Sequence, residues 1–582
     1  MSKSTFGSFT FVLHSHLPYV LSHGKWPHGT EWLCEAAAET YIPLLDALNR
    51  LVEKGISPKL TLGLTPVLCE MLADPGFVAE LQSYLAAKEE EARQNTLHFK
   101  ECGEAEYART GQFWIEWHQQ IARSFNDRYH QDLIGAFRKL QDAGHIEIIT
   151  SAATHGYLPL LGNDNCVRAQ IAVGVHTYKK HFGRAPRGMW LPECAYRPAY
   201  DWRLPFDDST VPATPRRGLE EFLAEQSIDY FIVDTHLFSG GSTLGVYAER
   251  FPVLKQLFNH SRDQETPENP HGTTHRAYWV DTQNPAATGK VAALARHERT
   301  SMQVWSADHG YPGNGAYLDF HKKHFPGGLR YWRVTSQQAD LGEKLPYQRS
   351  AIDEIIEAQA THFVDLICEG LQQYQKQSGE RGFICCPYDT ELFGHWWFEG
   401  VQWLETVLEK LATDPRLTLS TGSEILRDYP PKAAIALPEG SWGEGGFHHV
   451  WLNENTEWTW KEIYKRESQM TQFAQKYFHT ENELLRQILD QCARELLLME
   501  SSDWQFLIST IAAKDYAELR IANHIEAFDR LITLAEKVAD GEILNDGEQK
   551  YFYELQEQDR PFPDVSFECW NHFMNQTSST SF

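Results

Sequence analysis

Phe383-Ile-Cys-Cys-Pro-Tyr-Asp389 is a short apolar run that ends on a carboxylate, and six more runs of the same kind recur along the chain. They are residues 9–14 (FTFVLH), 60–65 (LTLGLT), 146–150 (IEIIT), 188–193 (GMWLPE), 230–234 (YFIVD) and 302–306 (MQVWS). Each has strand length and a β-prone composition, and each ends in polar or aromatic residues. Helical patterns lie between them, for example over 31–54 and 351–375. Strands alternating with helices imply a parallel sheet, and near-continuous apolar strands imply burial on both faces. Polar residues gathered at the carboxyl ends of such strands mark the catalytic face of an α/β barrel. The reading is therefore an incomplete or distorted barrel; residues 417–420 (LTLS) offer an eighth strand, and the spacing leaves the strand number open.

The interval between the second and third runs is too long for one crossover helix. Residues 74–144 are charged and helical in pattern, including Lys88-Glu-Glu-Glu91, and read as a helical insertion standing on the barrel. Residues 259–275 are rich in Pro, His, Asp and Thr and read as a surface loop. After Tyr429-Pro-Pro431 the alternation stops. Leu485, Ile488, Leu489, Cys492 and Leu496 then fall on one helical face, as do Ile521, Ile525 and Phe528. This divides the chain into a catalytic barrel over 1–430, interrupted by 74–144, and a C-terminal helical domain over 431–582. The entry to the helical domain, Pro438-Glu-Gly-Ser-Trp-Gly-Glu-Gly-Gly446, is followed by Trp451, Trp458 and Trp460. The tail from Thr577 has no core-forming pattern.

Composition narrows the partner. A formal charge of −26 disfavours nucleic acid and anionic membrane surfaces, both of which require basic patches, but does not repel a neutral polysaccharide. Aromatic residues make up 13% of the chain, 18 of them Trp, and indole faces stack on the C–H faces of pyranose rings. Of the ten cysteines the only close pair, Cys385 and Cys386, fits neither a zinc knuckle nor a redox motif. Met1-Ser-Lys-Ser-Thr5 leads directly into a strand pattern, and no apolar stretch has the length of a membrane span, so a cytoplasmic location is the expectation.

Two carboxylates stand out. Glu193 in Trp190-Leu-Pro-Glu-Cys-Ala-Tyr196 and Asp389 in Pro387-Tyr-Asp-Thr-Glu-Leu-Phe-Gly-His-Trp-Trp397 sit in aromatic strand ends, as a nucleophile and a proton donor for glycosyl transfer do. The structural alternatives are a charge at a helix N-terminus for Glu193 and an N-cap for Asp389. His14-Ser-His16 places two imidazoles at one strand end. With His155 and either Asp234 or His236 they make a candidate divalent-metal site, as in metal-dependent polysaccharide deacetylases; as neutral rings they bind sugar hydroxyls without a metal. The glycine flanks of Ser441-Trp-Gly443 suggest an exposed ring. Gly240-Gly-Ser-Thr-Leu-Gly245 fits no phosphate-loop spacing, and no G-x-S-x-G elbow or kinase signature is present.

In five separated motifs the chain resembles glycoside hydrolase family 57, and within it the branching-enzyme subgroup. The motifs are His14-Ser-His-Leu-Pro-Tyr19, Thr154-His-Gly-Tyr-Leu-Pro159, Trp190 to Tyr196, Cys386 to Trp397, and Gly440-Ser-Trp-Gly443 with Trp451 and Trp458. The resemblance implies a distorted (β/α)7 barrel with a helical insertion and a C-terminal α-helical domain. It implies that Glu193 is the nucleophile and Asp389 the general acid/base of a retaining double displacement on α-1,4-glucan. It further implies that His16 and His155 contact the sugar with His14 close by, that Trp305, Trp442 and Trp451 line the glucan groove, and that the loop around Tyr247 closes over the acceptor side. Trp190, Asp234, His236, His395 and Trp396 complete the expected substrate-binding set. No cofactor or metal is expected. The partner is an α-glucan such as amylose or glycogen, and the protein is expected to be a monomer or small homo-oligomer. An α-amylase or 4-α-glucanotransferase is the near alternative; a non-catalytic glucan-binding protein would have lost one carboxylate.

Overall fold

The computed structural model describes residues 5–207, 210–240, 253–254, 272–282, 284, 289–306, 309–336 and 338–571. Seven parallel strands follow one another around the core. The first, β1 (Gly7–Ser15), is buried along its whole length. It is flanked by β2 (Leu60–Leu64) and, from the far end of the sequence, by the strand Gly382–Asp389. The order continues through β3 (Ile146–Ile149), and a single bridge from Thr150 to Met189 carries it to β4 (Gly188–Met189). It then passes to β5 (Tyr230–Val233) and β6 (Ala292–Ala295). Gly382–Asp389 is thus β7, and the His297 N–H donates to the Cys385 carbonyl at 3.0 Å, which brings the β6 end back against it. The result is a distorted α/β arrangement with irregular seams on either side of β4 to β6.

One strand differs from the sequence reading. Residues 302–306 are not a strand: 302–305 end the helix Glu298–Trp305, whose buried Thr300, Ser301, Val304 and Trp305 follow helical spacing, and Ser306 is its C-cap. A short apolar run carries no periodicity of its own, and here it extends a helix that starts beyond it. The strand in that place, Ala292–Ala295, is alanine-rich and is held by its neighbour β5 rather than by propensity. The run at 417–420 does form a strand, Leu417–Leu419, wedged beside the first residues of β1, where β2 has not yet begun to pair.

Two antiparallel helices, α1 (Pro75–Glu101) and α2 (Ala105–Arg123), make up most of the 74–144 stretch. Phe77, Leu81, Leu85, Ala92, Thr96 and Phe99 recur at helical spacing and give α1 one buried face, and the Trp114 indole of α2 donates to the Arg330 carbonyl at 2.6 Å. Past residue 456 the chain is helical: α3 (Glu457–Lys476), α4 (Glu483–Met499), α5 (Asp503–Thr510), α6 (Lys514–Ala539) and α7 (Asp546–Gln558). The α4 face read from the sequence, Leu485 to Leu496, is buried, and Ile521 and Phe528 of α6 are buried with Ile525 half-buried. All ten cysteines are unbridged. Among the described residues no helix is long and apolar enough to cross a membrane.

Candidate active site

Glu193 occupies a tight turn after β4 in the left-handed region, at φ 60° and ψ 23°, followed by Cys194 at φ 48°. A non-glycine residue there carries on the order of 1–3 kcal/mol of strain and persists only where its surroundings fix it. The surroundings are visible. Tyr196 and Gly440 exchange backbone hydrogen bonds at 2.8 and 3.0 Å, and the Trp442 N–H donates to the Glu193 carbonyl at 3.1 Å. The segment 440–442 thereby clamps the turn. The same Trp442 then donates its indole N–H to Glu193 Oε2 at 2.7 Å, while the Ser502 hydroxyl lies 3.3 Å from Oε1.

Asp389 ends β7 and is in register with His14 of β1. Its charge is felt at Glu193. Burial pushes the Glu193 carboxyl up to about 8, with Asp389 and Asp503 adding to the rise and the Trp442 hydrogen bond and His16 opposing it. Burial and the like charge of Asp389 thus favour the protonated form of Glu193 in the free protein, while the donors at its two oxygens favour the ionised form.

Three imidazoles form the wall beside Glu193. His14 lies flat on Trp190, with ring centroids 4.5 Å apart and an interplanar angle of 6°, and His16 stacks on His155 at 4.1 Å. His14 Nε2 and His155 Nε2 are 3.0 Å apart, and His155 Nδ1 is 2.9 Å from Ser502 Oγ. The His16 ring meets Thr65 Oγ1 at 3.1 Å and Asp503 Oδ2 at 2.8 Å. Close packing is possible because position 63 on β2 is glycine: a Cβ there would stand 3.3 Å from His14 Nδ1. Burial, reinforced by the neighbouring rings, drives His14 and His155 well below the ordinary imidazole value, so both are neutral.

The metal alternative drawn through Asp234 or His236 does not match this geometry. Asp234 is paired with Arg296 at 2.7 Å, and His236 turns to Asp234 and to the Gly446 carbonyl, at 3.4 and 3.2 Å. Burial alone would raise the Asp234 pKa, but Arg296 and His236 outweigh it and hold the carboxyl well below the usual range. The Arg296 guanidinium lies 5.5 Å over the Trp442 ring, so this pair supports the indole that grips Glu193. His16, His155 and Asp503 do bring ligand atoms within 4.8 Å of one another. Their ring nitrogens are, however, already engaged in the hydrogen bonds described above.

The remaining expected residues divide. Trp190 is buried beneath His14 and meets Trp442 edge to face at 5.2 Å. Trp442 is only 3% exposed, which corrects the expectation of an open ring: its glycine neighbours allow close packing, and a Cβ at Gly443 would strike the Trp451 ring at 2.6 Å. Trp451 stacks on Tyr157 at 4.4 Å behind this segment. Trp305 is buried and tilted against Tyr388, the residue before Asp389. His395 is held elsewhere, 3.0 Å from Glu39, which also pairs with Arg330, and the Trp396 N–H donates to the Glu391 carbonyl at 3.1 Å. Tyr247 lies outside the described residues, as does most of the 259–275 loop.

Ser502 and Asp503 were not anticipated. Ser502 is the N-cap residue of α5 and Asp503 is its first residue, far along the sequence from Glu193, and they reach the site because Gly156 and Ser501 form a bridge and the Ser502 N–H donates to the His155 carbonyl at 3.1 Å. The polar Glu500-Ser-Ser-Asp503 step inside an otherwise apolar helical stretch was the available signal.

Known proteins resemble this chain over nearly its whole length. Residues 10–438 match the family described as glycosyl hydrolase family 57, and 462–570 match the region described as 1,4-alpha-glucan branching enzyme, C-terminal. A 1,4-alpha-glucan branching enzyme of Thermococcus kodakarensis is 44% identical over 565 residues, 96% of this chain and 78% of that protein. The crystal structure of a GH57 branching enzyme from Thermococcus kodakaraensis, in complex with glucose and additives, aligns with a TM-score of 0.87 at 41% identity, over 97% of this chain and 96% of that one. An alpha-amylase from Thermotoga maritima aligns at 0.78 and 29% identity, over 97% and 99%. With a family match running from β1 through both carboxylates, the chain belongs to glycosyl hydrolase family 57.

Proposed function

We propose that the protein is a 1,4-α-glucan branching enzyme: it cleaves an α-1,4 bond and transfers the released segment to a 6-hydroxyl, with retention of configuration. The observation that carries the glycosyl-transfer chemistry is Glu193, fixed in a strained turn, with donors on both carboxylate oxygens and the charge of Asp389 close by. Glu193 attacks the anomeric carbon while Asp389 protonates the departing glycosidic oxygen, giving a glycosyl-enzyme. Asp389, now a base, deprotonates the acceptor hydroxyl, which displaces Glu193. Trp442 and Ser502 hold the nucleophile's carboxylate in line, and the stacked His14, His16 and His155 with Trp190 form the rigid wall against which the sugar is placed.

Branching rather than hydrolysis is supported by kinship. The amylase of Thermotoga maritima shares the fold at 29% identity, so the fold does not choose between the two outcomes. The closer resemblance, 44% over most of the chain, is to a branching enzyme, and the C-terminal match carries that description too. The polymer is neutral, which suits a chain with a net charge of −26. The test is to incubate the purified protein with amylose and follow the α-1,6 anomeric proton signal by NMR together with reducing ends. New α-1,6 linkages outnumbering new reducing ends support branching; reducing ends alone mean an amylase.

A further inference from the structure

We infer that Ser502, from the C-terminal helices, is a positioning residue for the nucleophile, and that His14 and His155 set the direction in which its hydroxyl proton points. The inference rests on Glu193 being the nucleophile.

The number of ring protons fixes the direction of the hydrogen bonds. A neutral imidazole carries one N–H, and His14 and His155 are both neutral. Their Nε2 atoms, 3.0 Å apart, must be one donor and one acceptor. His14 Nδ1 is buried without a hydrogen-bond partner. A bare lone pair is tolerated in such a place more readily than an orphaned N–H, so the His14 proton is on Nε2 and is donated to His155 Nε2. The His155 proton must then be on Nδ1, where it meets Ser502 Oγ at 2.9 Å. With that oxygen accepting from His155, the Ser502 hydrogen is directed to the next acceptor, Glu193 Oε1 at 3.3 Å. The chain His14 to His155 to Ser502 to Glu193 has one consistent direction, and the nucleophile receives a donor on each oxygen, Ser502 on one and Trp442 on the other.

Backbone geometry keeps the relay in place. Ser502 is fully buried, its N–H is bound to the His155 carbonyl, and His155 itself stands at φ 60°. The helical C-terminal region therefore supplies part of the machinery that ionises and aims Glu193. The charged or titratable groups facing Glu193 are Asp389 of β7, Asp503 of α5, His16 just past β1, His155 and Tyr157, with Cys194 next along the chain and Arg296 beyond Trp442. A hydrogen bond to the charged form lowers a carboxyl pKa, so loss of the Ser502 hydroxyl raises that of Glu193.

The experiment is the pH dependence of kcat/KM on amylose for wild type and Ser502→Ala. Expected is a fall of roughly 5- to 30-fold at neutral pH, with the acid limb displaced upward by about 0.5–1 pH unit. A purely structural role lowers the profile uniformly; an acid limb that does not move overturns the inference. Should the Ala variant fail to fold, Ser502→Cys carries the same test: its weaker donor shifts the limb in the same direction by less, and an unmoved limb overturns the inference equally. Glu193→Ala, assayed in parallel, tests the underlying reading: if it keeps wild-type activity, the nucleophile assignment fails, whatever Ser502 does.

Discussion

Trp442 donates its indole N–H to Glu193 Oε2 at 2.7 Å and its backbone N–H to the Glu193 carbonyl at 3.1 Å, so one residue fixes both the turn and the carboxylate of Glu193, the proposed nucleophile. Replacing Trp442 by Phe retains an aromatic ring and the backbone bond but removes the indole donor. A hydrogen bond to a charged group contributes about 1.5–3 kcal/mol, so kcat/KM is expected to fall roughly 10- to 100-fold, with the acid limb moving to higher pH. Steady-state kinetics across pH check it; a profile unchanged in position shows that the donor does not govern the ionisation of Glu193.

The raised pKa of Glu193 has a consequence for stability. Its carboxyl titrates at about 8 in the folded protein against an ordinary value of 4.5, so the folded state holds the proton more tightly than the unfolded chain. The stability this contributes is complete below pH 4.5 and is lost as pH rises through about 8. Glu193→Gln carries no such charge. It is expected to be inactive, yet more stable than wild type at pH 8.5 by on the order of 2 kcal/mol, with the difference shrinking toward pH 5. Denaturant melts at the two pH values decide it, and equal differences at both would contradict the assignment of the shift.

Much of the fold was legible because the strands with both faces buried, such as the FTFVLH run in β1, leave an unbroken apolar signature that the sequence cannot conceal. Two strands were harder to read for opposite reasons. Residues 302–306 look like a strand but finish a helix, and Ala292–Ala295 is a strand without β-branched residues, placed by its neighbours. The carboxylates and the histidines were legible from their motifs. Ser502 was not, because its relation to Glu193 spans 309 residues and depends on how the helical region docks on the barrel. The burial of Trp442 is not legible in the sequence, because an adjacent glycine permits close packing as readily as it permits exposure.

Arg296 and Asp234 are both buried and pair at 2.7 Å, with the guanidinium over the Trp442 ring. Arg296→Met leaves the Asp234 charge buried without its main partner, and breaking such a pair costs about 3–5 kcal/mol. A lower melting temperature together with reduced kcat is expected, and an unchanged melting temperature would mean that His236 and the local backbone suffice for Asp234.

Because the ring nitrogens of His16 and His155 are engaged in hydrogen bonds to Thr65, Asp503, His14 and Ser502, activity is expected to survive exhaustive dialysis against EDTA. Iodine-stain loss on amylose before and after chelation is the measurement. Complete inactivation that a divalent metal restores would reassign this cluster as a metal centre.

The central claim is that Glu193 forms a covalent glycosyl-enzyme during transfer. Its most direct test is to trap the intermediate with a 5-fluoro-α-glycosyl fluoride and map the modified peptide by mass spectrometry. The account predicts a single glycosyl unit on the peptide that contains Glu193, esterified to its carboxyl, and absent in Glu193→Gln. An adduct on another residue, or products of inverted configuration with no adduct at all, would contradict it.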